Sequence, residues 1–364
     1  MGSLHLHLPQ LLALLTVTLF FSASAACSNG GCKLLDECSA NSDCEAGLYC
    51  FSCAGGFSGS RCVRSFYTDQ FKLLNNSLPF NKYAYLTTHN AFAIDDGEPR
   101  LTFTNQEDNV TQQLNNGVRA LMLDTYDFKG DVWLCHSFGG KCHDYTAFGP
   151  AIDTLKEIEA FLSTNPAEIV TLILEDYVQA PNGLTKVFTD AGLKKYWFPL
   201  TNMPKNGQDW PLVSDMVANN QRLLVFTSSE SKEQSEGIAY QWNYMVENQY
   251  GDGGMKEGTC PNRGESSAMT DTSKSLILVN YFPSVPIKQI SCENNSGDLI
   301  NMLRTCYGAA GNRWANFVAV DFYKRSEGGG SFQAVDTLNG KLLCGCDDVH
   351  ACVPGSTSGA CTPP

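Results

Sequence analysis

The chain of 364 residues is poor in histidine, with six, and poor in positive charge, with 25 Lys and Arg against 38 Asp and Glu. Its formal charge of −13 argues against nucleic-acid binding, which depends on Lys and Arg neutralising phosphates. The same charge disfavours steady adsorption to anionic membranes. We therefore expect no nucleic-acid partner, and we expect any contact with a membrane surface to be transient and made by loops or a local patch.

Long apolar runs are also scarce. The clearest, Leu11 to Phe21, precedes Ser22-Ala-Ser-Ala25, which predicts a secretory signal peptide over residues 1–25 with cleavage near Ala25. This run is too short to span a bilayer, and no hydrophobic tail for a GPI signal ends the sequence. The sequence thus predicts a secreted protein, in which Asn75, Asn109 and Asn294 begin glycosylation acceptor patterns.

Cysteine, by contrast, is abundant. All 16 cysteines follow position 25, and in an exported chain this density predicts disulfides rather than metal sites. Seven lie in residues 26–65, a cysteine-rich module whose end, from Cys53 to Cys62, resembles the closing loop of an EGF-like module. Because seven is odd, at least one bridge must leave the module if every thiol pairs. Residues 326–364 carry four more cysteines and predict a disulfide-held C-terminal cap.

The main body, residues 66–325, has a suitable length for one barrel domain. Strand-like apolar runs recur through it, among them Val118 to Leu123, Ile169 to Leu174 and Phe317 to Val320. Several are nearly continuous in apolar residues, as buried parallel strands are. The helix-like stretch Ala151 to Ser163 lies between two of them. The pattern predicts an α/β fold of the (β/α)8 TIM-barrel type, with a long loop from Ser228 to Thr272 over the barrel mouth.

Chemically active side chains stand where these runs end. His89 and His136 each end one apolar run, while Asp124 and Glu175 end two others. A (β/α)8 barrel builds its active site from the carboxyl ends of its strands. Two histidines can divide the roles of general acid and general base, because their ordinary pKa lies near neutrality. The sequence therefore predicts an enzyme.

Taken together, these motifs resemble the X domain of phosphatidylinositol-specific phospholipases C, and most of all the secreted, cysteine-rich plant members of that superfamily. The motifs are Thr88-His-Asn90, Gly117-Val-Arg-Ala-Leu-Met-Leu-Asp124, the His136 strand, Leu174-Glu-Asp176, Val279-Asn-Tyr281 and Val320-Asp-Phe-Tyr323. The resemblance implies a phosphoric diester hydrolase that forms a cyclic inositol phosphate. His89 would be the base, His136 the acid, and Asp321 the carboxylate that orients His89.

A calcium site is also implied by the resemblance. Asn90, Asp124 and Glu175 match three of the four oxygen ligands found in eukaryotic relatives, and such ligands suit Ca²⁺. The fourth position is Met122, whose thioether is a poor calcium ligand. Arg119 does not replace the missing charge, because strand alternation puts it on the face opposite Asp124. An ion pair on the outside or at the end of the barrel is its better interpretation.

The sequence provides less direct information about the headgroup of the lipid substrate. Ser228 stands where relatives that act on polyphosphorylated inositides carry Lys, which favours an unphosphorylated or glycosylated phosphatidylinositol. Tyr281 is a candidate to stack on the inositol ring, although rim aromatics more often serve packing. Two alternatives stay open: a phosphodiesterase for another substrate, such as a glycerophosphodiester, and an extracellular binding protein that kept the barrel and lost turnover. The sequence does not indicate an oligomeric state.

Overall fold

The computed structural model of the chain describes residues 27–34, 36–52, 59–64, 68–73, 77–325, 330–354 and 360–362. The predicted signal peptide and the acceptor Asn75 lie outside these residues. Of the other two acceptors, Asn109 is exposed and Asn294 is half-buried. Within the described ranges, no helix has both the length and the apolar character that crossing a membrane requires.

A curled sheet of parallel strands forms the body of the protein. Eight strands follow one another around it in the order β10-β11-β12-β3-β4-β7-β8-β9, each parallel to its neighbour. They are β3 (Tyr85–Thr88), β4 (Ala120–Phe128), β7 (Val170–Tyr177), β8 (Leu223–Thr227), β9 (Ala239–Tyr240), β10 (Met245–Glu247), β11 (Leu276–Asn280) and β12 (Phe317–Val320). The antiparallel strands β5 (Asp131–Cys135) and β6 (Ala147–Pro150) extend from β4. The predicted TIM-barrel-like α/β fold is confirmed.

Helices cover the outside of this sheet. They are α1 (Gln70–Leu73), α2 (Val110–Asn115), α3 (Ala151–Thr164), α4 (Gly183–Asp190), α5 (Val213–Ala218), α6 (Ser231–Glu236), α7 (Lys288–Glu293), α8 (Leu299–Ala309) and α9 (Gly330–Leu343). Helix α3 begins after Pro150, as predicted, and buries Leu155, Ile158 and Leu162 at helical spacing. Helix α9 packs on the barrel, where the Asn339 side chain accepts from the backbone N–H of Ala84 and donates to the backbone carbonyl of Ala84.

The core has two layers because strand side chains alternate between faces. Even-numbered residues of β4 and β11, such as Ala120 and Leu278, face the barrel interior with Phe317. Their odd-numbered neighbours Leu121 and Val279 pack against the helices. This alternation decides which side chains at the strand ends can reach the barrel mouth.

The long loop predicted from Ser228 to Thr272 is only partly a loop. The segment contains α6, β9 and β10, and the irregular chain is confined largely to the residues after Glu247. The two strands are two and three residues long. They are too short to show an apolar run, and the polar residues around them hid the pattern.

Seven disulfides join described cysteines. Cys27–Cys32, Cys38–Cys50 and Cys44–Cys62 hold the module, where β1 (Leu48–Ser52) pairs with β2 (Ser60–Arg64); Cys135–Cys142 and Cys260–Cys306 lie in the barrel, and Cys344–Cys352 and Cys346–Cys361 in the tail. Cys292 is also disulfide-bonded. The predictions of a disulfide-rich module and a disulfide-held cap are confirmed, whereas the domain boundaries at residues 65 and 325 stay predictions.

An ionic junction ties the module to the barrel and the cap. Arg64 of β2 places Nε 2.5 Å from Asp336 Oδ2 of α9 and Nη2 2.6 Å from Asp348 Oδ2 of the tail. His350 Nδ1 lies 2.8 Å from Asp348 Oδ1. Burial raises the pKa of Asp336 to about 6, even though the Arg64 charge opposes this shift. These four side chains are called the Arg64 junction below.

Candidate active site

His89 follows β3 at the carboxyl end of the barrel, and Asp321 follows the neighbouring strand β12. The two strands run in register, so their next residues meet. His89 Nδ1 lies 2.9 Å from Asp321 Oδ1. Because a carboxylate only accepts, His89 donates Nδ1–H and leaves Nε2 free to take a proton. In this arrangement Asp321 can orient the His89 ring, and Nε2 of His89 can accept a proton.

Phe282 covers one face of the His89 ring. The two rings are parallel, with centroids 3.6 Å apart and 4° between their planes. Phe282 is buried and belongs to the interior layer. It follows β11, and its contact with His89 was not predicted from the sequence.

Asn105 extends the pair into a network. Its Nδ2 donates to Asp321 Oδ1 over 2.9 Å, and its Oδ1 accepts from Asn90 Nδ2 over 3.4 Å. The next residue, Gln106, donates to the backbone carbonyl of His89 over 2.8 Å. The sequence reasoning missed both residues. The only available signal was two adjacent amides in a loop, which do not form a recognisable motif.

The backbone is left-handed directly after both members of the pair. Asn90, after His89, has φ of 42°, and Phe322, after Asp321, has φ of 44°. The conformation is unfavourable for a bulky residue such as phenylalanine. Such backbone strain is concentrated at functional sites, where the surrounding structure enforces it. Here two such residues directly follow the two members of the His89–Asp321 pair.

His136 follows β5, and the backbone around it is fixed on both sides. The His136 Nδ1 lies 2.9 Å from the carbonyl oxygen of Phe103, and the hydroxyl of Thr102 donates to the backbone carbonyl of His136 over 2.6 Å. Since a carbonyl only accepts, Nδ1 carries the proton and Nε2 faces the site. Burial lowers the pKa of His136, and the charge of nearby His89 lowers it further, whereas the Phe103 carbonyl raises it.

A disulfide and two tyrosines lie beside His136. The bridge Cys135–Cys142 starts at the preceding residue and packs with Tyr126 in a small cluster. The Tyr126 ring stacks on that of Tyr177, with centroids 4.5 Å apart. The Tyr177 hydroxyl donates to Glu175. The cluster thus connects the loop that carries His136 to the carboxylates of the mouth.

Asp124, in the middle of β4, and Glu175, near the end of β7, lie side by side on adjacent strands. They are paired in register and both belong to the inward-facing set. Burial raises the pKa of Asp124 well above its usual range, and the Glu175 charge raises it further. Two adjacent carboxylates with this environment are stabilised by a bound cation.

The predicted calcium ligands lie around this pair. Asn90 follows β3, beside β4, and the N–H of Ala91 donates to the carbonyl of Met122 over 2.9 Å. Asp124 and Glu175 therefore stand on adjacent strands, and Asn90 stands just after the strand on the other side of β4. Their oxygen atoms, two sets from carboxylates and one from a neutral amide, are of the kind that suits a hard divalent cation. Met122 faces inward among apolar side chains and supplies no oxygen.

Arg119 lies at the other end of β4. Its Nε is 2.7 Å from Glu168 Oε2, and its Nη1 donates to the carbonyls of Leu114 and Val118. The ion pair expected for Arg119 is confirmed. Arg119 does not approach the carboxylate pair of the mouth.

The two predicted headgroup residues are placed differently. Ser228 follows β8 at the mouth, where its hydroxyl accepts the Asp176 N–H over 2.9 Å. Tyr281 instead faces the helical layer with Val279 and lines an outer pocket with Met255. The structure contradicts a stacking role for Tyr281, because alternation after β11 turns the next residue, Phe282, into the site.

Comparison with known proteins agrees with this arrangement. The PI-PLC X family model (PI-PLC X 1) matches residues 78–339. A PI-PLC X domain-containing protein of Arabidopsis thaliana is 55% identical over 355 residues, covering 96% of this chain and 83% of its own length. An uncharacterized secreted protein of Arthroderma benhamiae is 26% identical over 254 residues, covering 65% of this chain and 56% of its own. The chain belongs to the PI-PLC X family.

Solved structures that resemble the chain include phosphatidylinositol-specific phospholipases C of two bacteria. A Staphylococcus aureus structure covers 75% of this chain and 94% of its own, with a TM-score of 0.47 and 12% identity. A Listeria monocytogenes structure covers 72% and 93%, with a TM-score of 0.46 and 13% identity.

Proposed function

We propose that this protein is a secreted phosphoric diester hydrolase that cleaves phosphatidylinositol-type lipids. The observation that supports this most strongly is the His89–Asp321 pair, 2.9 Å apart, at the end of the barrel where His136 also stands. Family membership supports phosphodiesterase chemistry in general terms. The choice of inositol lipid, the cyclic product and the export of the chain are part of the proposal.

His89 acts as the general base in this mechanism. Its Nε2 takes the proton of the inositol 2-hydroxyl, whose oxygen attacks the neighbouring phosphorus. Asp321 holds the ring through Nδ1–H and stabilises the imidazolium that forms, a role that a buried carboxylate performs well. Phe282 stacks on the ring and restricts its rotation.

His136 acts as the general acid. Its Nε2 donates a proton to the glycerol oxygen as the bond from that oxygen to phosphorus breaks. The products are diacylglycerol and a cyclic inositol phosphate. The Phe103 carbonyl, 2.9 Å from Nδ1, selects the tautomer and orientation of the ring. Because burial lowers the pKa of His136, the protonated acid is lost as pH rises, and we expect kcat/KM to decline already below neutrality.

Ca²⁺ bound by Asn90, Asp124 and Glu175 would supply positive charge to the phosphate oxygens. The raised pKa of Asp124 supports a cation at this place, since a bound cation favours the ionised carboxylates. The Tyr177 hydroxyl holds one oxygen of Glu175 and so sets the direction of that carboxylate. With Met122 in the fourth position, we expect weak affinity for calcium.

A ring of exposed apolar side chains supports contact with a lipid surface. Leu101 is 78% exposed and Phe138 65% exposed, and both lie on the loops that surround His136. The N–H of Leu101 donates to the carbonyl of Tyr145 over 2.9 Å, which joins these loops. Insertion of this rim between lipid headgroups would bring the phosphodiester to the histidines while the acidic remainder of the protein stays in water.

Met122 favours a second candidate, an extracellular binding protein that has lost turnover, because it removes a charged ligand from the site. The retained His89–Asp321–Asn105 network argues for catalysis, since a binding protein has no need of an oriented base.

The test is release of water-soluble inositol phosphate from phosphatidylinositol vesicles by the mature, oxidised protein, with calcium or chelator, beside His89→Ala. We expect release by the wild type with calcium, and a loss in both the mutant and the chelator. Equal, negligible release from both proteins would contradict the proposed activity. Activity that persists in the presence of chelator would contradict a role for the metal but would still support a hydrolase.

A further inference from the structure

Arg263 is a cation at the barrel mouth that the mechanism above does not use. It lies in the loop between β10 and β11, and its backbone N–H donates to the backbone carbonyl of Glu247 over 2.9 Å. Its Nε lies 2.9 Å from Glu265 Oε2, and its Nη1 lies 3.4 Å from Glu247 Oε1. Two carboxylates therefore fix the plane of the guanidinium.

Aromatic rings flank the same guanidinium. Its central carbon lies 5.2 Å from the ring centroid of Trp242 and 4.9 Å from that of Tyr250, distances at which cation–π attraction operates. The Trp242 indole donates to Glu247 over 2.8 Å, so the ring is fixed too. No hydrogen bond joins the third nitrogen, Nη2, to any residue that the structure describes. Nη2 is a donor on a rigid support.

The guanidinium lies on the β10 side of the barrel mouth. In the sheet, β11, β12 and β3 separate β10 from β4. Glu247, which contacts the guanidinium, is the last residue of β10 and faces the barrel interior as Met245 does, so Arg263 lies at the mouth. A headgroup that occupies the mouth on the side of β10 therefore meets this guanidinium.

Building on the proposed function, we propose that Arg263 is a specificity-determining residue that binds the polyol headgroup of the substrate, with Nη2 donating to a headgroup hydroxyl oxygen. The headgroup class follows from charge. Glu247 and Glu265 outweigh the single positive charge of Arg263, and Ser228 adds none. A headgroup with further phosphates would meet net negative charge, whereas a neutral polyol accepts a hydrogen bond without that cost.

The change to test is Arg263→Lys, which keeps the charge but removes the planar group that carries Nη2. Arg263→Gln removes both. Glu247 keeps its bonds from Trp242, Gln241 and Asn280 in either variant, and thermal unfolding checks that both are folded. Arg304→Gln, on an exposed position of α8, is the matched control.

Binding is measured by calorimetry in a His89→Ala background, with glycerophosphoinositol as the probe and glycerol 3-phosphate as the comparison that lacks the ring. We expect both Arg263 variants to bind glycerophosphoinositol at least about tenfold more weakly, as for a lost hydrogen bond to a charged donor, with no change for glycerol 3-phosphate or in the control. Unchanged binding of glycerophosphoinositol, or an equal loss for both ligands, would overturn the assignment.

Turnover of phosphatidylinositol by the wild type separates the two proposals. Turnover with unchanged kcat/KM in folded Arg263→Lys contradicts the role of Arg263 and leaves the hydrolase intact. Selective loss of glycerophosphoinositol binding in the variants, without turnover by the wild type, contradicts the hydrolase and supports the headgroup site.

Discussion

The barrel mouth and the Arg64 junction both bury carboxylates, but they differ in whether a neighbouring cation compensates the negative charge. At the junction, Arg64 lies between Asp336 and Asp348, so each carboxylate has a cation within 2.6 Å. At the mouth, Asp124 stands beside Glu175, and among the described residues neither carboxylate forms an ion pair with a cationic side chain. The junction is compensated within the protein, whereas the mouth keeps excess negative charge.

This difference indicates what each region is for. A buried ion pair with both partners present holds chain segments together, and removing one partner is costly. Uncompensated like charge is unfavourable for folding and persists where a ligand is to be bound. We infer that the junction is structural and that the mouth is functional. Changes at the mouth should therefore affect activity, and changes at the junction should affect stability.

The largest effect should follow from His136→Ala. If His136 is the general acid, hydrolysis of phosphatidylinositol should fall by about 10²–10⁴-fold without a matching loss of thermal stability. An inositol phosphodiester with a p-nitrophenyl leaving group needs no protonation, and its hydrolysis should fall much less. An equal loss for both substrates would show that His136 has another role.

Arg64→Met should have the largest effect on stability. It leaves Asp336 buried without its cation, which costs about 3–5 kcal/mol, seen as a lower midpoint in denaturant unfolding. The activity of the folded fraction should stay unchanged, because the junction does not touch the mouth. Arg304→Met, on an exposed helix position, is the control. A stability loss no larger than that of the control would contradict a structural role for the junction.

The pH dependence of the junction can be assigned to Asp336. Its pKa is raised to about 6 in the folded protein, so folding binds a proton between the unfolded and folded pKa values. This contribution to stability is fully present below about pH 4 and is lost as pH rises through 6. Relative to Asp336→Asn, the wild type should lose up to about 3 kcal/mol between pH 4 and 7. Parallel pH profiles would contradict this.

The smallest effect should come from Asp124→Asn. Removing one of two like charges should stabilise the metal-free protein by about 1 kcal/mol, which corresponds to about 2–4 °C in Tm for a domain of this size. Calcium should then raise the Tm of the wild type but not that of the variant. A calcium shift of equal size in both proteins would place the ion elsewhere.

Sequence patterns predicted the fold and the positions of most site residues because these patterns are local. Apolar runs marked the long strands, and their last residues gave His89, Asp124 and Glu175 at one end of the barrel. Alternation correctly separated Arg119 from Asp124. The same rule, had it been applied from the apolar face of β11, would have chosen Phe282 over Tyr281.

The remaining contacts depend on residues far apart in the chain. Asn105 reaches Asp321 across 216 positions, and no periodicity connects two amides in a loop to a strand end. Arg263 is positioned by its contacts with Glu247 at the end of β10. That strand has only three residues, which is too short for the sequence pattern to predict it. Long-range polar contacts of this kind become visible only when the tertiary structure brings their partners together.

The most direct test is ³¹P NMR of the products formed from phosphatidylinositol by the wild type and by His89→Ala. The account predicts that a cyclic inositol phosphate accumulates first with the wild type and is absent with the mutant. If neither protein forms any inositol phosphate, or if the mutant forms as much as the wild type, His89 is not the base of a phosphodiesterase and the central claim is wrong.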